Sequence, residues 1–260
     1  MKSNLETLSF EESNGLGTLT INRPGKLNAL NIQVLRELKS FLSELHSSSL
    51  KGLIVTGEGE KAFIAGADIA EMKPMTNSEA NAFSELGQQV TLLFESMPFP
   101  TIAAVNGYAL GGGFEMALSC DFIYSTTNAV FGLPEVKLGL IPGFGGTVRL
   151  ARAVGERRAK EIMFSGRSVS SDEALKLGIT LERFSTKTEL IEGCKKWFSM
   201  SMQNSVHAIA RAKHSMRMSN EEIIHDGLKQ EREEFGNIFQ TSQMIEGTAA
   251  FLEKRKANFK

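Results

Sequence analysis

Residues 106–121, NGYALGGGFEMALSCD, set three consecutive glycines, Gly111, Gly112 and Gly113, just before a glutamate, Glu115. Glycine admits positive φ and lets a ligand approach the main chain closely. The N–H groups that open the following helix point outward and favour negative charge. The stretch fits neither G-x-x-x-x-G-K-[ST] nor a dinucleotide-binding G-x-G-x-x-G. It reads either as a tight strand-to-helix turn or as a turn whose amides hold an oxyanion. Glu115 in the first helical turn can pair with the helix dipole, worth about 0.3–1 kcal/mol at a surface. FEMALSC, however, is apolar on most sides, and an ionised carboxylate in such a place calls for a task.

A second carboxylate, Glu135, stands in VFGLPEVKLGLIPGFGG, residues 130–146. Pro134 before it fixes its own φ and restricts Leu133. Glu135 reads as a solvated loop residue or as the partner of Glu115. Two carboxylates in apolar, glycine-bent surroundings suit acid–base chemistry with pKa values pushed apart. A third element, KAFIAGADIAEM (61–72), has a small-residue loop, Ala65-Gly66-Ala67-Asp68, that can present further amides. Asp68 itself reads as the N-cap of the short helix that follows rather than as a catalytic group. His46, His207, His214 and His225 show no H-E-x-x-H or other ligand spacing, and no G-x-S-x-G elbow occurs. Zinc and serine-nucleophile chemistries therefore lack their residues.

These residues need elements to hold them. LGTLTIN (16–22) reads as a strand that stops at Arg23-Pro24. Ile32, Leu35, Leu38, Leu42 and Leu45 recur at helical spacing over 31–45. LKGLIVTGEG reads as a buried strand and a glycine turn. A capping box, Thr76 to Glu79, opens a helix that runs to Pro98. PTIAAVNGYAL reads as one nearly all-apolar strand of a sheet covered on both faces. The helix after the glycines is expected from Phe114 to about Cys120. DFIYSTTNAVFG supplies one or two short strands. GGTVRLARAVG, ERRAKEIMFSG and SSDEALKLG read as helices, the last with a capping box from Ser170 to Glu173 and Gly178 past its end. From about residue 186 the pattern is helical throughout. The alternation predicts an α/β core over 1–195, and the tail a helical region over 196–260 suited to oligomerisation.

The bulk composition narrows the partners. The 260 residues carry 29 basic and 30 acidic side chains, a net charge of −1, with no basic tract for nucleic acid. The one terminal basic cluster, Lys254, Arg255, Lys256 and Lys260, reads as a solvated helix end that can also meet a phosphate. Cys120 and Cys194 are too few for a disulfide framework and read as reduced thiols. MKSNLETLSFEES has no apolar signal core, and no run approaches the roughly 18 apolar residues of a membrane helix. A cytoplasmic protein is expected.

Four ordered stretches, NRPGKLNAL (22–30), KAFIAGADIAEM (61–72), AAVNGYALGGGFEMALSCD (103–121) and FGLPEVKLGLIPGFGGTVRL (131–150), resemble the crotonase (enoyl-CoA hydratase/isomerase) superfamily. The ending FLEKRKANFK is similar to that of short-chain enoyl-CoA hydratases. The resemblance implies a spiral of ββα units, a helical C-terminal region, trimers or hexamers, and an acyl-CoA ligand with no metal or redox cofactor. Ala67 and Gly112 match the two oxyanion-hole positions, and Glu115 and Glu135 the two catalytic glutamates. Lys26, Leu27, Ala29, Ala65, Ala67, Asp68, Ile69, Ala70 and Gly112 match positions that bind the substrate and its CoA. The implied reaction, of the fatty-acid β-oxidation type, adds water to a 2-trans-enoyl-CoA and gives the 3-hydroxyacyl-CoA. Both glutamates favour this over the alternatives, a double-bond isomerase or another acyl-CoA lyase. Near-neutral charge speaks against an RNA-binding homologue. Phe114 departs from the smaller residue usual beside the first glutamate, which bears on acyl-chain fit.

Overall fold

The strand–helix alternation winds into two sheets in the computed structural model, which describes residues 5–219, 221–239 and 241–259. In chain order the strands are β1 (Leu8–Ser13), β2 (Leu16–Ile21), β3 (Gly52–Gly57), β4 (Ala62–Ile64), β5 (Thr101–Val105), β6 (Tyr108–Leu110), β7 (Phe122–Thr126), β8 (Val130–Gly132), β9 (Val169–Ser170) and β10 (Glu182–Phe184). The helices are α1 (Ile32–Leu45), α2 (Ile69–Met72), α3 (Asn77–Ser96), α4 (Gly112–Ser119), α5 (Gly146–Val154), α6 (Glu156–Ser165), α7 (Ser171–Lys176), α8 (Lys187–Ser201), α9 (Val206–Met218), α10 (Glu221–Ile238) and α11 (Ser242–Leu252). One sheet has the order β1-β2-β3-β5-β7-β10 and the other β4-β6-β8-β9. Each successive pair, β3–β4, β5–β6 and β7–β8, sends its first strand to the larger sheet and its second to the smaller. Helices follow each pair. This is the ββα spiral of the crotonase-like α/β class.

The central strands of the larger sheet are buried on both faces and alternate accordingly. In β3 and β5, Leu53, Val55, Ala103 and Val105 face the main core with α1, α3 and α4. Ile54, Ile102 and Ala104 face the opposite way, under Leu190, Cys194 and Phe198 of α8. Cys120 and Cys194 are both buried and reduced. No helix among the described residues is long and apolar enough to cross a membrane.

Several sequence expectations change. PTIAAVNGYAL is two strands in two sheets, broken at Asn106. The fully buried Asn106 side chain accepts the Gly57 N–H at 3.2 Å and donates to Gly57 O at 3.1 Å and Gly59 O at 2.7 Å. It thereby ties the β5–β6 corner to the β3–β4 corner, and the Asn-Gly pair was the available turn signal. Helix α4 starts at Gly112, two residues before the expected Phe114. Thr76 and Glu79 form the full capping box. At Ser170 only half of one forms: Ser170 accepts the Glu173 N–H, while both Glu173 oxygens go to Arg167. Strands β1, β4, β9 and β10 went unread. In the terminal basic cluster Arg255 is taken up by Glu246 and Glu253, and Lys260 lies outside the described residues.

Asn106→Ala strands the buried Gly57 N–H, while Gly57 O and Gly59 O keep the Lys187 ammonium as a donor. A loss of about 1–3 kcal/mol is expected in urea unfolding, the cost of one buried unsatisfied group.

Candidate active site

Parallel strands β4, β6 and β8 lie side by side, with Ile64 opposite Ala109 and Leu110 opposite Gly132. Their C-terminal ends therefore stop at one level. Each leads into one of the candidate segments: Ala65–Ala67 after β4, Gly111–Gly112 after β6, and Leu133–Glu135 after β8. The ends of parallel strands are where open α/β sheets place ligands. Here they line a cavity of about 490 Å³ that also takes in Phe83, Phe144 and Phe235. All the site residues expected from the sequence, from Lys26 to Glu135, border this one cavity.

The glycines do separate jobs. Gly111 has φ +50°, and its N–H donates to Gly132 O at 2.9 Å. A Cβ there would stand 2.9 Å from Glu135 Oε1. A Cβ on Gly113 would stand 2.0 Å from Ile64 O, so only glycine lets α4 sit against β4. The middle residue, Gly112, is the first residue of α4.

Several amides of these turns are left over, those of Ala67 and Gly112 among them. Gly66 O accepts the Leu30 N–H, and the Asp68 N–H donates to Leu30 O, both at 2.8 Å. Ala67 lies between those bonds. Neither its N–H nor that of Gly112 donates a hydrogen bond among the described residues. Both stand at the cavity wall, where a Cβ on Gly111 would come within 3.8 Å of Gly66 Cα.

Glu115 is 2% exposed, and its Oε1 accepts the Phe144 N–H at 2.8 Å and the Gly146 N–H at 2.6 Å. Burial pushes this carboxyl well above the usual range, and the charges of Glu231 and Glu135 act the same way, against the two amides. Glu135, in the 3₁₀ turn Glu135–Leu138, is half-buried as a residue, but its Oε2 is out of solvent with no partner. It is therefore not a solvated loop residue. Burial pushes it up to about 8, its own backbone N–H opposing and Glu231 adding. The two carboxyls are thus held differently, one by two amides and the other with an oxygen that has no partner.

The rim carries the remaining expected residues. The turn Pro24–Lys26 leads into Leu27 and Asn28, both left-handed at φ +50° and +59°. Asn28 holds that shape by accepting the Arg23 N–H and donating to Glu58 O and Ala62 O. Lys26 and Leu27 are exposed at the mouth. Asp68 occupies the N-cap position of α2, but its carboxylate makes no cap and instead meets Arg23 at 3.5 Å. Among the described residues no cluster of three or more His, Cys, Asp or Glu is placed to hold a metal ion.

The sequence reading missed Glu231. It is 3% exposed and accepts the Gly145 N–H at 2.6 Å and the Thr147 N–H at 3.0 Å. QEREEF looks like a solvated helix face. The signal was periodic: Ile224, Leu228, Glu231 and Phe235 share one stripe, and all four are buried.

A model of the family described as Enoyl-CoA hydratase/isomerase matches residues 11–260. The chain belongs to that family. Crotonyl-CoA hydratase of Syntrophomonas wolfei subsp. wolfei is 42% identical over 255 residues, 98% of each chain. Short-chain-enoyl-CoA hydratase of Clostridium acetobutylicum is 41% identical over 253 residues, 97% of each. Among solved structures, an enoyl-CoA hydratase from Mycobacterium avium subsp. paratuberculosis K-10 superposes with TM-score 0.88 at 25% identity, covering 98% of this chain and 99% of that one. The two glutamates and two unengaged amides are thus set in the frame of the enoyl-CoA hydratase/isomerase family.

The pKa of Glu135 has a consequence for stability. Below about 4.5 its carboxyl is protonated both folded and unfolded, so it contributes nothing. Between about 4.5 and about 8 the unfolded chain ionises it while the native chain does not, so stability falls as pH rises. Glu135→Gln removes that slope. Urea unfolding at pH 5 and pH 8 is expected to show a smaller loss in the variant than in the wild type.

Proposed function

We propose that the chain is an enoyl-CoA hydratase, adding water to short-chain 2-trans-enoyl-CoA to give 3-hydroxyacyl-CoA in fatty-acid β-oxidation. One observation carries the reading: two buried carboxylates and two amides without internal partners meet at the ends of three adjacent strands, around one apolar cavity. The names of the relatives support it.

The thioester oxygen accepts the N–H groups of Ala67 and Gly112. Polarisation makes C3 electrophilic, and attack there puts negative charge on that same oxygen. A fixed donor at such an oxyanion contributes about 2.7–4 kcal/mol. Glu115, its Oε1 tied by two amides, orients the water with its other oxygen and takes a proton as the water oxygen bonds to C3. Glu135 then gives its proton to C2 as the enolate collapses. Exchange with solvent returns the proton from Glu115 to Glu135. Lys26, Leu27, Ala29, Ala65, Asp68, Ile69 and Ala70 line the path of the CoA portion. No metal or redox group takes part in these steps.

The layout we propose is a core over 1–195 that carries the carboxylates and amides, and a helical region over 196–260 that closes the cavity and mediates homo-oligomers, trimers or hexamers. Exposed Met218, Ile223 and Phe251 on α9–α11 support the latter role. The chain acts in the cytoplasm, on a small-molecule substrate and without nucleic acid.

With crotonyl-CoA, the conjugated enoyl absorbance is expected to fall on addition of enzyme. No fall at high enzyme concentration rules the reading out. Glu115→Gln and Glu135→Gln are each expected to lower turnover by about 10² or more, the scale of a lost general acid or base, with an unchanged circular dichroism spectrum. Full activity in either variant removes that residue from the mechanism.

A further inference from the structure

The loop before α5 is held by two carboxylates in alternation. Going along it, the N–H groups of Phe144 and Gly146 point to Glu115, and those of Gly145 and Thr147 point to Glu231. The Thr147 hydroxyl also donates to Glu231. Helix α5 has no acidic residue in its first turn, and its N-cap, Gly145, has no side chain to offer. Its open N–H groups are therefore satisfied by side chains from α4 and α10. Neighbouring amides that point to opposite sides cannot be turned independently. Moving Gly145 or Thr147 rotates the peptide planes that carry the Gly146 and Phe144 N–H groups.

We propose that Glu231 is a positioning residue: through the amides of 144–147 it fixes the orientation in which Glu115 faces the cavity. The inference rests on the assignment of Glu115 as the base. A plain helix cap does not account for the choice of residue. Ser, Thr or Asn caps a helix without charge, whereas a carboxylate at this depth costs free energy unless it is compensated. Glu231 also places like charge near Glu115 and Glu135, raising the pKa of both. The groups that face it are Thr147 and Arg149 from α5, Gln88 from α3, Glu115 from α4 and Glu135 from the turn after β8. Arg149 is the one cation among them, and its guanidinium is engaged by Glu95 and Phe144 O.

Glu231→Gln keeps the shape but turns an NH₂ group toward one of two N–H donors. It also removes the charge. Glu115 must be ionised to act, so the rate rises with pH through its pKa, and removing a nearby negative charge moves that limb to lower pH. The expected result with crotonyl-CoA is a kcat lowered about tenfold or more, a KM changed by less than about threefold, and an acidic limb of kcat shifted down by about half a pH unit. Glu231→Asp keeps the charge and retracts it; it should lower kcat about fivefold and leave the limb in place. A folded Glu231→Gln enzyme with wild-type kcat, or with lowered kcat and an unmoved limb, overturns the proposal. If Glu231→Gln shows no cooperative melt, Glu231→Asp decides, and an unchanged kcat there overturns it. Wild-type enzyme in the same assay separates the cases: inactive wild type refutes the hydratase reading, while active wild type with indifferent variants refutes only the role of Glu231.

Discussion

A carboxylate shut away from water has to take its hydrogen bonds from the protein, and at Glu115 those bonds come from the main chain of a loop 29 to 31 residues further on. That requirement organises the site. It pins Phe144 and Gly146, and with them the start of α5. It calls for small residues at the points of approach, since a Cβ on Gly146 would stand 2.9 Å from Glu115 Oε1. It also explains the apolar helix around the acid, because Phe114, Met116 and Ala117 anchor α4 in the core while the glutamate alone reaches inward to the amides. The strand ends supply the direction, and the loop supplies the restraint.

The two carboxyls are compensated unequally. Both glutamates are pushed upward by burial, but Glu115 has two amides from other residues working against that push and Glu135 has only its own. Glu115 also faces the charges of Glu231 and Glu135, which add to the upward push that its two amides oppose.

Much of this was legible in the sequence, for physical reasons that differ by element. Local patterns were read correctly where local energetics decide: the Thr76 cap, the α1 stripe and the glycine–glutamate turn. Glu115 and Glu135 stood out because charge in an apolar context is rare. What the chain does not write locally is adjacency. That β4, β6 and β8 are neighbours, and so carry Ala67, Gly112 and Glu135 to one cavity, depends on strand pairing across dozens of residues. The break at Asn106 was missed because the apolar pattern continues through it, while the force that turns the chain comes from Gly57 and Gly59. Asp68 takes the expected N-cap position, but its carboxylate turns to Arg23, an ion-pair partner 45 residues away that local pattern does not show. Glu231 hid among charged neighbours, though its place on the buried stripe of α10 marked it.

The two thiols lie in separate cores. Cys120 ends α4 in the main core, and Cys194 lies on the inner side of α8, against the far face of the larger sheet. Burial pushes each up to about 12, so almost no thiolate exists in the native state at neutral pH. Alkylating reagents thus react with these sulfurs only after the surrounding structure opens. The chain carries two built-in clocks, one timing the release of the outer helix and the other the loosening of the layer that holds the glutamates.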